Sequence, residues 1–198
     1  MSNRKYHRSN RAGSHAAIRQ RGTMTPDEMI AQWTACHALV AAATPLGADC
    51  GQLCGARCCA GGPEDGMLLF PGEELLYTEE TLPAGWHLRD SGIRLSAYAA
   101  PIALLVCDGT CTRVRRPLSC RIFPLLPRVD ARGGIRIEPD LRALSICPLL
   151  FDSNAPHIRA SFAKAVQDAF TLAIRIPGVT ELLMLLQQEN REISRFYR

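Results

Sequence analysis

Apolar residues recur at helical spacing near both ends of this chain and lose that period in between. Met29, Trp33, Cys36, His37, Val40 and Ala41 fall on one stripe of a helix. Thr25-Pro26-Asp27-Glu28 supplies its opening, with Thr25 as N-cap, proline at the first helical position and a glutamate three residues after the cap. The spacing predicts a helix over 26–43, ended by Pro45 and Gly47. Cys36 lies on its packed face and reads as a small buried hydrophobe rather than a ligand. Toward the other end, Ile158, Phe162, Ala165, Val166, Ala169, Phe170 and Ala173 mark a helix that stops before Pro177-Gly178. Thr180 then caps a further helix carrying Leu182, Leu183, Leu185, Leu186 and Ile193. These two form an αα-hairpin whose apolar faces pack on the first helix.

The middle of the chain carries only short signals. Strands are predicted at 67–70, 93–98 and 135–138, the last closing a hairpin across the turn-forming run 130–134, with a helical turn at 72–76. The expected fold class is mainly α with short irregular β hairpins, a small helical core carrying cysteine-rich metal-binding loops. The apolar stretch 98–106 is far shorter than the roughly 20 residues of a membrane-spanning helix, so no membrane is expected.

Charge divides the chain. Arg4, Lys5, Arg8, Arg11, Arg19 and Arg21 all precede the first acid, Asp27, and account for more than the formal net charge of +4. Residues 1–23 read as a disordered basic tail and 24–198 as a single cysteine-cluster domain ending in the helical hairpin. A body without excess basicity, with Trp33 and Trp86 too far apart to form a stacking platform, argues against nucleic acid as a partner. A protein partner for the tail stays open. With no secretory apolar segment, the expected location is cytoplasmic.

Cysteine carries the chemistry. Cys50, Cys54, Cys58 and Cys59 place four thiols in ten residues, and Cys107, Cys111, Cys120 and Cys147 bring the group to eight of nine cysteines. Thiolate sulfur selects soft metals, so these eight are the candidate metal ligands and metal ions or a cluster the expected partners. An odd count and a length that needs no stapling disfavour a disulfide framework, which remains the competing reading with redox thiols. On a continuous helix Cys50, Cys54 and Cys58 would lie within about 80° of one another. Cys107 and Cys111 flank a turn-forming Asp-Gly. The adjacent Cys58-Cys59 and the surplus over four donors favour an iron–sulfur cluster, of the 4Fe–4S type, with zinc as the alternative. Arg116 and Arg121, beside Cys120, either pair with acids or offset thiolate charge and donate to sulfur, which makes them candidate cofactor-binding residues.

This constellation resembles the YkgJ-type cysteine cluster family of zinc- or iron-chelating proteins. The resemblance is carried by Cys50, Cys54, Cys58 and Cys59 as the first group, and by Arg116-Pro117-Leu118-Ser119-Cys120-Arg121-Ile122-Phe123-Pro124 as an RP-x2-CR-x-FP element. Cys107 and Cys111 correspond to the intervening pair and Cys147 to the late cysteine, so the resemblance spans about residues 48–150. It implies a metal-binding protein, and, through members associated with flagellin lysine N-methylation, a redox or group-transfer enzyme using the cluster as the alternative.

Other catalytic patterns are missing. No HExxH, GxSxG or P-loop string occurs. His37 and His87 lack partners at diagnostic spacing, and Asp49, Glu73, Glu74 and Asp108 read as solvating or supporting groups. Whether the chain is an enzyme stays open at this level.

Overall fold

The computed structural model describes residues 24–60, 62, 65–109 and 111–197. The basic tail lies outside them. Helix α1 (Pro26–Leu39) starts on the expected capping box: the Glu28 N–H donates to the Thr25 hydroxyl at 3.2 Å, and the Thr25 N–H donates to the Glu28 carboxylate at 2.7 Å. It buries Met29, Trp33 and Cys36. It ends four residues earlier than its apolar stripe predicts. The carbonyls of Val40 and Ala43 accept from the Arg113 guanidinium instead of from a further helical turn, so a distant side chain satisfies backbone that a longer helix would have paired.

Helices α2 (Gly51–Cys54), α3 (Leu118–Ile122) and α4 (Pro148–Phe151) are single turns, while α5 (Ala160–Ala173) and α6 (Val179–Phe196) are the long C-terminal helices; in place of the expected hairpin packed on α1, α5 lies mainly on α1 and α6 mainly on the strand that follows α3. Helix α5 lies against α1. The Cys36 thiol donates to the Ala169 carbonyl at 3.3 Å and the Gln32 amide to the Leu172 carbonyl at 2.9 Å. Through the centre Trp33 stacks on Phe70, which meets Phe170 edge to face, with centroid separations of 5.8 and 4.9 Å. Those rings, with Leu182 and Leu183 of α6, anchor the main core.

Two small antiparallel sheets complete the fold. Strands β1 (Gly66–Leu68), β2 (His87–Asp90) and β3 (Ala103–Val106) take the order β1-β3-β2, with Leu105 opposite both Met67 and Leu88. Strands β4 (Leu125–Val129) and β5 (Ile135–Pro139) form the hairpin expected across 130–134, where the Asp130 carboxylate accepts from the N–H groups of Arg132 and Gly134. The hairpin is tied to α5 by the Gln167 amide, which donates to the Ile135 carbonyl, and to α6 by Asn190, which donates to the Pro139 carbonyl.

The expectation of a mainly α fold is therefore corrected to a mixed α/β fold. The sheet around β3 was hidden because its apolar run Ala103–Val106 carries no alternation: a central strand is flanked on both edges and packs without a polar face. Conversely, the strand expected at 93–98 reduces to an isolated bridge between Leu95 and Tyr98. No helix among the described residues is long and apolar enough to cross a membrane.

A second, smaller core consists of Leu69, Trp86 and Leu105, with Cys107 and Cys111 packed against it. It positions the chemistry described next.

Candidate thiol site

The first cysteine group does not share one helical face. Helix α2 stops at Cys54, and Gly55 and Ala56 both take left-handed backbone, with φ of 61° and 55°. Glycine makes that reversal inexpensive at position 55, and Ala56 follows it at some cost in strain. A new three-residue turn, Arg57–Cys59, then carries Cys58 and Cys59 in a different direction. The expected i, i+4, i+8 alignment is broken there.

Tertiary structure divides the thiols between two pockets. One, of about 100 Å³, is lined by Cys58, Cys59, Cys107, Cys111 and Cys120 together with Arg116, and closed by the apolar side chains of Met67, Trp86, Leu105 and Phe123. The other, of about 40 Å³, holds Cys50, Cys54 and Cys147 beside Arg113. Cys58, Cys120 and Arg116 border both. Cys147 precedes α4 as its N-cap residue, and Cys120 sits within α3. All nine cysteines are free thiols.

Within the larger pocket the Cys58 and Cys59 sulfurs lie 3.9 Å apart. The Arg116 Nε donates to the Cys111 sulfur at 3.2 Å. Cys59 is held at a pKa of about 6, first by the hydrogen bond from the Cys58 thiol and then by the Arg116 charge, against the opposing effect of burial. Cys58 is pushed upward by that same hydrogen bond and by burial. The two thiols titrate as a pair, and the Arg116 charge favours the thiolate at Cys59. Burial also raises Cys120, which feels Cys59 and Cys107 as like charges. The Cys107–Cys111 loop rests directly on Cys59. A Cβ added at Gly109 would stand 2.4 Å from the Cys59 carbonyl oxygen, and the residue's φ is +77°, so both backbone conformation and close approach require glycine here.

Two further arginines support this arrangement from behind. Arg121, nearly buried, donates to the carbonyls of Arg116 and His37 at 2.9 and 3.4 Å, and to that of Val114 at 2.5 Å. Arg113 reaches the Arg121 carbonyl at 3.4 Å as well as the end of α1. Arg121 thus acts on backbone, and of the two arginines singled out in the sequence only Arg116 meets sulfur. Glu73 is the residue that sequence reasoning undervalued. Its carboxylate is fully buried, accepts from the N–H groups of Phe70 at 3.1 Å and Leu118 at 2.6 Å, and meets His37 Nε2 at 2.9 Å. His37 is therefore partnered across the fold, whereas His87 is exposed on β2. Nothing in Gly72-Glu73-Glu74 distinguishes the buried glutamate from its neighbour, because two of its three partners come from α1 and α3.

Among the described residues, no three histidine, cysteine or carboxylate groups are arranged to hold a metal ion. This overturns the expectation of metal-binding loops holding an iron–sulfur cluster or zinc, and of metal ions or a cluster as partners. The cluster-dependent redox or group-transfer enzyme falls with it. The physical reason is local: the reversal at Gly55 and Ala56 ends α2 and starts a new turn that carries Cys58 and Cys59, so close spacing along the chain does not become one shared face.

Comparison with family models, with curated proteins and with solved structures finds no match to this chain. The resemblance to the YkgJ-type family is accordingly corrected: the RP-x2-CR-x-FP string forms the entry to α3 and the Arg121 brace, and carries no family assignment.

Proposed function

We propose that this protein is a thiol-based redox protein, with Cys59 as the nucleophile and Cys58 as the thiol that resolves its oxidised form. The observation that carries this reading is the Cys58–Cys59 sulfur contact of 3.9 Å inside a pocket lined by three further thiols and Arg116. A thiolate is the reactive form of cysteine, and a neighbouring cation and a thiol donor both favour it. Attack of Cys59 on a peroxide forms an S–O bond as the O–O bond breaks, leaving a sulfenic acid and an alkoxide or hydroxide that takes a proton from water. Cys58 then displaces the sulfenic oxygen as water, and a sulfur–sulfur bond forms. Adjacent residues are only about 3.8 Å apart at Cα, shorter than the usual disulfide span of about 4.4–6.8 Å. Such a bond is strained and readily returned to two thiols by a dithiol reductant.

The test is trapping. Peroxide treatment of the Cys58→Ser protein leaves a sulfenic acid at Cys59 that a dimedone-type reagent labels, and the unsubstituted protein instead gives a peptide lighter by two hydrogens spanning both residues. Labelling spread evenly over the eight pocket thiols, or absent from Cys59, rejects the reading.

A further inference from the structure

The thiol pocket shares part of its wall with a second cavity, of about 210 Å³: Gly66, Met67 and Phe123 border both. That second cavity runs between β1, β4 and α6 and is lined by Phe70, Leu126, Leu182 and Leu186. Its polar groups are already satisfied within the protein. The Ser119 hydroxyl donates to the Leu68 carbonyl at 2.7 Å, and Arg142 is held by the Asp140 carboxylate at 2.9 and 2.7 Å. The cavity therefore offers a guest contact with hydrocarbon and asks for no hydrogen bonds.

We infer that the two cavities form one binding site for an organic hydroperoxide, its apolar body in the Leu126–Leu186 cavity and its peroxide group past Met67 and Phe123 at Cys59. This deepens, and rests on, the thiol-redox reading above. Hydrogen peroxide has no use for apolar volume, whereas an alkyl or aryl hydroperoxide gains from burying its hydrocarbon beside the reacting sulfur. In the reaction the Cys59 sulfur bonds the terminal peroxide oxygen and is oxidised to the sulfenic acid. The O–O bond breaks, the inner oxygen leaves as alkoxide and takes a proton from water, and the product is the alcohol. Arg116 lines the same pocket, hydrogen-bonded to the Cys111 sulfur, and supplies positive charge there as negative charge moves onto that leaving oxygen. Cys58 closes the cycle as described, and a dithiol reductant restores both thiols.

The experiment compares second-order rate constants for oxidation of Cys59 by cumene hydroperoxide and by hydrogen peroxide in the full chain. The expected ratio is tenfold or more in favour of the aryl hydroperoxide. Leu186→Phe and Leu186→Trp, which extend a side chain into the cavity, should lower that ratio several-fold by slowing oxidation by cumene hydroperoxide. Their folding is checked by circular dichroism, and the unsubstituted ratio stands as a test that needs neither variant. Equal rates for the two oxidants overturn the inference while the redox reading survives. A ratio that persists in both folded variants does the same. Failure of both oxidants to modify Cys59 overturns both.

Discussion

Replacing Glu73 by alanine removes a buried carboxylate acceptor that ties its own segment to α1 and α3. Its oxygens take the N–H of Phe70 at 3.1 Å and that of Leu118 at 2.6 Å, and meet His37 Nε2 at 2.9 Å, in a position with no solvent exposure. Alanine leaves two buried amide donors without partners, at about 1–3 kcal/mol each. It also leaves the His37 ring without its hydrogen-bond partner, at about 1–2 kcal/mol. These terms overlap, and relief of the carboxylate's own desolvation offsets part of them, so the expected loss is about 4 kcal/mol. With a urea dependence of about 2 kcal/mol per molar, the unfolding midpoint should fall by about 2 M. Glu73→Gln retains the volume and one carbonyl oxygen but turns an NH₂ toward a donor, and should lose about half as much. His37→Ala leaves both backbone donors satisfied and should cost about 1–2 kcal/mol. Equilibrium urea unfolding followed by tryptophan fluorescence measures all three, since Trp33 stacks on Phe70 within the same region. A loss below about 1 kcal/mol for Glu73→Ala, or equal losses for alanine and glutamine, would refute the reasoning.

Alkylation of the folded protein should label Cys59 with a rate that rises through pH about 6, while Cys36, pushed up to about 12 chiefly by burial, stays unlabelled until the protein unfolds; peptide mapping after pulse labelling reads both. The same shift fixes a stability trend. Because Cys59 is lowered from the ordinary thiol value of 9.0, its contribution is full above that pH and disappears as pH falls through about 6, so the Cys59→Ser protein should lose pH dependence of its thermal midpoint in this window. Gly109→Ala forces a Cβ against the Cys59 carbonyl at a left-handed position, and should cost about 1–3 kcal/mol while shifting the alkylation profile of Cys59 toward that of an ordinary thiol. Cys36→Ala should cost about 1 kcal/mol in urea and leave Cys59 reactivity unchanged, since its thiol meets only the core and the Ala169 carbonyl.

The sequence by itself determined the elements whose stabilising partners lie nearby in the chain. The capping box at Thr25 and Glu28, the stripe through Met29, Trp33 and Cys36, the hairpin turn at Asp130 and the apolar faces of the last two helices all depend on residues within a few positions of one another. Local hydrogen bonds and helical periodicity express themselves directly in such patterns. The thiol site was legible as an inventory: the cysteines that line its pockets are the ones the sequence marked. Their grouping was decided only by tertiary structure. Left-handed backbone at Gly55 and Ala56 cuts the helix that would have aligned Cys50, Cys54 and Cys58, and Gly109 lets a distant loop settle on Cys59. Glu73 and Glu74 are equivalent on paper, yet one is sealed between α1 and α3 because Phe70, Leu118 and His37 converge on it. Spacing along a chain specifies which groups are available. Their distances and charges follow from how the backbone turns between them and from which far segments close over the result.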